Sequence, residues 1–304
     1  MSWNQNQSLM LDYVVKGDIR MARQYAKFAL EGTGAQKDMK WRDAQLGKLK
    51  RKLQFFELPQ KVDGLLRVED VNETFKPNRY FLTGRESELF DHIDKMRNVS
   101  IRLAEMDVSY INSTMLTGQS GVGKTMFGRY LAYKMGYPLV YVDFSHLVDS
   151  LMGNTAKNIV KAFDYASSEN CILFLDEIDY VASKRRSGSS GADRELGNVA
   201  ISLMQALDSM PNESVVLAAT NIPESLDPAV LRRFKAIHKV EPLTPDEQAE
   251  TVICFLNDIG VNYDHQKARL FGFEHEGSTS SLISGLIERI ANSLLADDFK
   301  AGER

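Results

Sequence analysis

The feature that most constrains this chain is a glycine-rich octapeptide that ends in lysine and threonine. Residues 118–125 read GQSGVGKT and match the pattern G-x-x-x-x-G-K-[ST] in full. A β-rich run precedes the octapeptide and a helical pattern follows it, so the loop joins a strand to a helix. Such a loop points backbone N–H groups at phosphate oxygens, and the helix adds the positive end of its dipole. The predicted phosphate-binding residues are Gly118, Gln119, Ser120, Gly121, Val122, Gly123, Lys124 and Thr125.

Two side chains of this loop have predicted roles of their own. Lys124 is expected to reach the β and γ phosphates of a bound triphosphate, and Thr125 to offer its hydroxyl to Mg²⁺. The complete motif, placed between a strand and a helix, favours nucleotide binding over a chance glycine-rich turn. The sequence therefore predicts ATP and Mg²⁺ as ligands.

A second signal is an apolar run that ends in two acids. Residues 172–175 read ILFL, and Asp176 and Glu177 follow. At the carboxyl end of a parallel sheet, Asp176 can hold Mg²⁺ through its waters, while Glu177 can polarise a water for attack on the γ phosphate. Taken alone, the pair could be a solvated strand end. Downstream of the phosphate loop, it predicts a second metal-holding residue and a general base.

Three further residues complete the predicted catalytic set. Asn221 follows the β-like run that ends in Ala-Ala-Thr, where its amide can fix the attacking water and sense the γ phosphate. Arg232 and Arg233 end a short helical segment, and a guanidinium suits the spread charge of a phosphoryl transition state. The alternatives are an asparagine in an ordinary turn and two surface or ion-paired arginines.

Strand-like and helical runs alternate through the middle of the chain, which predicts a parallel sheet covered by helices on both faces. The predicted strands are Thr114–Leu116, Leu139–Val142, Cys171–Leu175 and Val215–Ala219. The predicted helices of this part are about 86–106, 125–135, 155–168 and 196–208.

The two ends of the chain have a different pattern from the middle. Residues 1–56 are predicted to hold a helical hairpin whose second helix is basic, and a solvated face or a docking surface for an acidic partner explains the lysines. Residues 57–84 are interrupted by Pro and Gly and predict a linker and entry loop. Residues 85–243 form the predicted α/β part. Residues 244–304 form a predicted helical lid, with one helix starting after Thr244 and another over about 279–296.

Composition excludes several classes of protein. With 43% hydrophobic and 26% charged residues, the 304-residue chain is a globular protein rather than a disordered or collagen-like one. A net charge of −4 argues against a broad nucleic-acid-binding face. Two cysteines, Cys171 and Cys254, are too few for a disulfide framework or a four-thiolate zinc site. No signal peptide or membrane-spanning segment is predicted, so a cytoplasmic location is expected.

On these motifs, the segment from Gly118 to Val240 resembles the AAA+ ATPase module, and most of all the group of katanin, spastin and related bacterial ATPases. Residues 175–179, LDEID, match the Walker B signature of that family. Residues 231–234, LRRF, resemble its paired arginine finger, and Asn221 lies at its sensor 1 position.

This resemblance implies a five-stranded parallel sheet of order 5-1-4-3-2 followed by a four-helix lid. It also implies a ring, usually a hexamer, in which Arg232 and Arg233 serve the nucleotide of the neighbouring subunit. Residues 150–155 match the frame of a central pore loop, with Leu151 where the family usually has an aromatic residue, and residues 184–194 match the place of a second one. Adenine contacts are implied around residues 80–83, and residues 277–282 match the start of a lid helix that carries no arginine.

The sequence therefore predicts an ATP hydrolase of the AAA+ type that remodels or unfolds a protein partner. A nucleotide-gated scaffold that recruits an effector through the basic hairpin is one alternative, and a DNA-acting relative is another. A kinase is disfavoured, because a kinase must exclude the water that Glu177 is expected to activate.

Overall fold

A computed structural model of the protein describes residues 5–15, 25–26, 29, 62, 64–142, 144, 155–168, 171–182 and 191–301. The chain forms two compact units, residues 1–63 and residues 64–304. In the first unit, helix α1 spans Gln5–Val15, and the Tyr13 ring stacks on Tyr25 with centroids 5.4 Å apart. Most of the predicted hairpin, including its basic second helix, lies outside the described residues. The hairpin therefore stays a prediction.

A six-stranded sheet is the frame of the second unit. Its strands are β1 Leu66–Glu69, β2 Asn112–Thr117, β3 Leu139–Val142, β4 Ile172–Leu175, β5 Val215–Thr220 and β6 Ala236–Lys239. They lie in the order β1-β3-β4-β5-β2-β6, and the five strands from β2 onward pair in parallel. Numbered from β2, those five strands have the predicted order 5-1-4-3-2. The predicted fold class is confirmed.

Strand β1 is an addition to that prediction. It pairs antiparallel with β3, with Leu66 opposite Val142 and Glu69 opposite Leu139. It lies in the segment predicted as linker and entry loop, so that segment is not only loop. Four residues, two of them charged, are too few to display a strand periodicity, and the strand exists because the edge of β3 supplies its hydrogen-bond partners.

Helices of the second unit pack on the sheet and on one another. Before the lid they are α2 Val71–Thr74, α3 Gly84–Ala104, α4 Lys124–Met135, α5 Thr155–Ser168, α6 Asp179–Ala182, α7 Gly191–Asp208 and α8 Pro228–Leu231. The core under α3 and α4 contains Ile93, Phe127 and Phe174, all fully buried. A Cβ atom on Gly128 would lie 2.9 Å from the Phe174 ring, so a glycine lets α4 approach the sheet closely. This contact fixes the helix that follows the phosphate loop.

The lid contains three helices, α9 Pro245–Ile259, α10 His265–Phe273 and α11 Thr279–Ala301. The predicted start at Thr244 is confirmed by a capping box in which Thr244 and Glu247 satisfy each other's backbone N–H groups. The second predicted helix is confirmed as α11. Helix α10 was not predicted, because only Ala268 and Gly272 of its nine residues are buried. Residues 244–301 thus hold three helices rather than the four that the resemblance implies.

Two predicted loops lie beyond what the structure describes. Residues 150–154, with Leu151, and residues 183–190 are outside the described ranges, so both pore loops stay predictions. Across the described part of the chain, no helix combines the length and the apolar character needed to cross a membrane.

Candidate functional site

The phosphate loop has the backbone geometry that its glycines allow. Gly118 has φ +151° and Gly121 has φ +78°, conformations that other residues rarely adopt. A Cβ atom on Gly118 would overlap the Val240 carbonyl oxygen, and one on Gly121 would lie 2.7 Å from Ser278 Oγ. Val240, directly after β6, on one side and the lid on the other therefore approach this loop so closely that a side chain at either position would displace its neighbours. The Ser280 N–H also donates to the Gly121 carbonyl over 3.1 Å.

Lys124 connects the loop to the end of a neighbouring strand. Its Nζ donates to the carbonyls of Gly118 and Gln119, both over 2.7 Å, and to Asn221 Oδ1 over 2.6 Å. The lysine is 7% exposed, and burial lowers its pKa, against the opposing effect of the Asp176, Asp179 and Glu177 carboxylates. All three ammonium donors are thus held beside the loop by acceptors that phosphate oxygens can replace.

Thr125 and Asp176 form the predicted metal-holding pair. Thr125 Oγ1 donates to Asp176 Oδ2 over 3.0 Å, and Asp176 Oδ1 accepts from the Glu177 N–H over 3.1 Å. A hydroxyl beside a carboxylate is a set of hard oxygen donors that suits Mg²⁺ bound also to phosphates. No cluster of three or more His, Cys, Asp or Glu side chains that could hold a metal ion occurs among the described residues.

Glu177 follows at once, in an unusual backbone conformation. Its φ is +52°, and in the described part of the chain only Asp107 shares this property among non-glycine residues. The side chain is exposed. A non-glycine residue persists in the left-handed region only where its surroundings over-determine it, and such residues cluster at functional sites.

One cleft of about 480 Å³ collects these residues. We call its inner wall the phosphate side, which consists of residues 120–125, 176–177 and 221. We call the opposite wall the lid side, which consists of residues 79–81, 86, 243, 251, 255, 279–280 and 283–284. The loop residues Gly118 and Gln119 contribute carbonyls to Lys124 without lining the cleft.

The lid side contains five apolar or aromatic residues, Tyr80, Phe81, Leu243, Phe255 and Ile283, beside six polar or charged ones. The Tyr80 ring stacks on Tyr130 with centroids 5.1 Å apart, and its hydroxyl donates to Glu86 Oε1 over 2.8 Å. Burial and the Glu86 carboxylate raise the pKa of Tyr80 far above its ordinary value, so the hydroxyl keeps its proton. Arg79 pairs with Asp258 over 2.5 Å and lies over the Phe255 ring at 5.1 Å.

An orphaned polar atom lies in the same wall. The Thr279 hydroxyl is buried and has no hydrogen-bond partner among the described residues, although it lines the cleft. A polar ligand in the cleft would satisfy it. The glycine cradle, the buried ammonium and this hydroxyl together fit a nucleotide with its phosphates at Lys124.

The residues of the phosphate side are predicted from the sequence, whereas most residues of the lid side are not. Tyr80 and Phe81 fall in the segment where the resemblance implies adenine contacts, and Thr279 falls in the helix start that it matched. Arg79 and Phe255 carry no motif, and no local signal could have identified them.

The two predicted arginines do not enter the cleft of their own chain. Arg232 Nε donates to the Pro228 carbonyl over 3.1 Å. Arg233 donates to the Ala229 carbonyl over 2.9 Å and to Asp208 over 3.3 Å. Arg232 is exposed. The structure therefore brings together Lys124, Thr125, Asp176, Glu177 and Asn221, and leaves the arginine pair outside.

Comparisons with known proteins agree with this geometry. A family model described as "ATPase family associated with various cellular activities (AAA)" matches residues 114–242. An uncharacterized AAA family ATPase of Sinorhizobium fredii is 40% identical over 42% of this chain and 38% of its own length. The 26S proteasome subunit RPT4 of Saccharomyces cerevisiae is 35% identical over 53% of this chain and 36% of its own length. A proteasome-activating nucleotidase of Methanococcus maripaludis is 37% identical over 49% of this chain and 37% of its own length.

A solved structure shares the fold. A chain of the E. coli MS115-1 HORMA:CdnC:Trip13 complex has a TM-score of 0.57 and 18% identity, over 75% of this chain and 88% of that one. At this identity the likeness shows the fold alone. The chain spans little more than a third of the length of the three curated relatives named above. The family match itself begins in β2 and ends just beyond β6, so it takes in the whole phosphate side, and residues 114–242 are an AAA-family ATPase domain.

Proposed function

We propose that this protein hydrolyses ATP with Mg²⁺ in an assembly of its own copies and uses the energy to remodel or unfold a protein partner. The observation that carries the proposal is the convergence of the phosphate loop, the Asp176–Glu177 turn and Asn221 on one cleft. These groups come from the carboxyl ends of three adjacent parallel strands, β2, β4 and β5, where α/β sheets place their ligands.

Each side chain has a role that follows from its position. Lys124, already fully hydrogen-bonded, would exchange its carbonyl and amide acceptors for β and γ phosphate oxygens. Thr125 and Asp176 would hold Mg²⁺, which neutralises phosphate charge when bound. Glu177 would accept a proton from the attacking water, and Asn221, released from Lys124, would orient that water or contact the γ phosphate. Gly118 to Gly123 would supply backbone N–H groups.

The positions of Arg232 and Arg233 outside the cleft of their own chain support an assembly of several copies. Arg232 and Arg233 donate to carbonyls of their own α8 segment rather than to groups of their own cleft. A second copy would complete the site by placing these guanidiniums at its neighbour's γ phosphate. A ring, hexameric by family resemblance, closes such a head-to-tail contact.

A protein partner is supported by the relatives. Two of them carry the proteasome in their names, as a proteasome subunit and as a proteasome-activating nucleotidase. We extend from them only the class of partner, a protein rather than a nucleic acid. The basic hairpin as a docking surface, the threading loop at Leu151 and a cytoplasmic location stay parts of this proposal.

The test is turnover with a matched pair of variants. Glu177→Gln removes the proposed base but keeps its size, and Glu213→Gln makes the same change at an exposed site ahead of β5. We expect Glu177→Gln to lower phosphate release about 10²–10⁴-fold while ATP affinity stays at the parent level. Glu213→Gln should release phosphate at the parent rate.

Three outcomes would contradict the proposal. Hydrolysis by Glu177→Gln at the parent rate would remove the base assignment. ATP binding by the parent protein without phosphate release, in the presence and absence of protein partners, would favour the nucleotide-gated scaffold. A single-copy mass of the Glu177→Gln protein with ATP and Mg²⁺ would exclude the ring.

A further inference from the structure

A buried hydroxyl connects two parts of the site that the proposed roles treat separately. Thr220, the last residue of β5, is 1% exposed. Its Oγ1 donates to Asp179 Oδ1 over 2.7 Å and accepts the N–H of Ile222 over 3.0 Å. Asp179 opens the short helix α6, two residues after Glu177. Thr220 and Ile222 flank Asn221 in sequence, so the bond between them spans the Asn221 backbone. The same hydroxyl oxygen also connects this segment to the turn that carries Glu177.

The turn that carries Glu177 needs such anchors. Its φ of +52° is an unfavourable conformation for a non-glycine residue, and neighbouring contacts must hold it there. The N–H of the fully buried Ile178 donates to the Ala219 carbonyl over 3.1 Å, which ties the turn to β5 from one side. The hydrogen bond from Thr220 to Asp179 connects the same turn to the next residue of β5. The Ile178 contact fixes the backbone, while the Asp179 contact fixes the start of the helix that follows.

Strand β5 thereby sets the relative position of Glu177 and Asn221. Asn221 already contacts Lys124 over 2.6 Å, so the anchored set extends from the Glu177 turn to the phosphate loop. Attack on a γ phosphate requires the base and the water-orienting amide to face the same water. A displacement of about 1 Å in such a geometry can cost about 10²-fold in rate.

We propose that Thr220 is a positioning residue for hydrolysis, whose hydroxyl locks Asp179 and the backbone around Asn221 so that Glu177 and Asn221 address one water. This inference rests on the proposed function, because it assigns Thr220 to the same reaction. Thr220 itself neither lines the cleft nor contacts a phosphate-binding side chain.

The experiment compares three substitutions at two buried threonines. Thr220→Val removes the hydroxyl at nearly constant volume, and Thr220→Ser restores it. Thr114→Val makes the same change at another buried threonine of the sheet, in β2 and away from the cleft. We expect Thr220→Val to lower kcat about tenfold to hundredfold, with ATP affinity, KM and oligomer mass near those of the parent. Thr220→Ser should recover most of the lost kcat, and Thr114→Val should turn over like the parent.

Asp179→Ala is the second variant, because it removes the oxygen that accepts the Thr220 hydroxyl and decides the question if Thr220→Val does not fold. A lower kcat with unchanged ATP affinity supports the inference. Parent turnover in both Thr220→Val and Asp179→Ala overturns it, as does a loss of ATP affinity in Thr220→Val as large as the loss of kcat. If the parent protein releases no phosphate, the proposed function is wrong, and this inference, which depends on it, is wrong as well.

Discussion

The two sides of the cleft are built from the chain in opposite ways. The phosphate side consists mainly of consecutive residues and the ends of neighbouring strands. The lid side is assembled from remote segments: Arg79, which lines it, pairs with Asp258, 179 residues away in sequence. Phosphate binding requires particular residue types at fixed spacing, so the residues of the phosphate side form motifs that can be recognised in the sequence. A base or sugar needs only a wall of suitable shape, and the residues of such a wall are brought together by tertiary packing and form no motif.

The two sides also differ in what they offer a nucleotide. The phosphate side presents a buried ammonium, hydroxyls and carboxylates, which interact with the charges of the phosphates and of Mg²⁺. The lid side presents Tyr80, Phe81, Phe255 and Ile283, which act through apolar area on a base or sugar. We therefore expect changes on the phosphate side to alter turnover and triphosphate affinity, and changes on the lid side to alter affinity for any adenine compound by smaller factors.

The largest expected effect tests whether the phosphate side is complete within one chain. Replacing Arg232 and Arg233 together by alanine should lower turnover by about 10³–10⁵-fold, because no other cation is proposed for the γ phosphate besides Lys124 and Mg²⁺. Arg102→Ala, an exposed change near the end of α3, is the matched control. Steady-state phosphate release measures both.

Mixing then distinguishes the neighbour's site from the chain's own. A subunit with Glu177→Gln retains its arginines, and the arginine-deficient subunit retains its Glu177. If the arginines act on a neighbour, mixtures of the two inactive proteins regain measurable turnover. Parent turnover in the double alanine variant, at a rate per subunit independent of concentration, would mean that the phosphate side needs no second copy.

The next effect concerns affinity on the phosphate side. Lys124→Met removes the ammonium and its hydrogen bonds to phosphate, worth about 1.5–3 kcal/mol or roughly 10–100-fold in the ATP dissociation constant. Adenosine carries no phosphate, so its affinity should not change. Isothermal titration with both ligands, and with Lys95→Met as an exposed control, measures the difference. Equal losses for ATP and adenosine would show that Lys124 supports the fold of the cleft rather than the phosphates.

Most of the phosphate side was predictable, and the reason is local. Lys124, Thr125, Asp176 and Glu177 belong to short motifs, and the order of the parallel strands brings those motifs to one edge of the sheet. That edge also receives Asn221, although an asparagine after a strand carries little information alone.

Other features could not be predicted because they depend on distant contacts. Strand β1 exists through its pairing with β3, α10 through its packing on α9, and the partnership of Arg79 with Asp258 through the fold of the lid. The left-handed conformation of Glu177 is also invisible in sequence, since glutamate has no preference for it. The threonine that anchors this turn, Thr220, reads simply as a β-branched strand residue.

A smaller effect, on stability, concerns a polar cluster that joins β1, β3 and α4. Glu69 is 8% exposed and accepts from Thr74 Oγ1 over 2.6 Å, Tyr141 Oη over 2.8 Å and Arg129 Nε over 2.9 Å. Arg129 lies on α4, so Glu69 joins the added strand to the helix that follows the phosphate loop. Glu69→Gln should lower the free energy of unfolding by about 1–3 kcal/mol at neutral pH and leave ATP affinity unchanged.

The pH dependence of that loss has a definite sign. Burial alone would raise the pKa of Glu69, but the hydrogen bonds from Thr74 and Tyr141 and the charge of Arg129 bring it below its ordinary 4.5. The carboxylate therefore stabilises the fold above pH 4.5, and this stabilisation disappears as the pH falls through the lowered value. Denaturant unfolding of Glu69→Gln and of the exposed control Glu88→Gln measures it. A stability difference that grows on acidification would contradict the assignment.

The smallest effect belongs to the ion pair between Arg79 of the lid side and Asp258. The side chains of Arg79 and Asp258 are 38% and 17% exposed, and a pair this accessible to water contributes about 0.2–1 kcal/mol. Arg79→Met keeps a long apolar chain over Phe255 and removes the charge, while Asp258→Asn removes the other partner. A double-mutant cycle on the free energy of unfolding should give a coupling within that range, reduced by added salt. Because the pair supports the lid side and not the phosphates, ATP and adenosine should weaken by the same factor. A loss for ATP alone would assign Arg79 to the phosphates and remove the distinction between the two sides of the cleft.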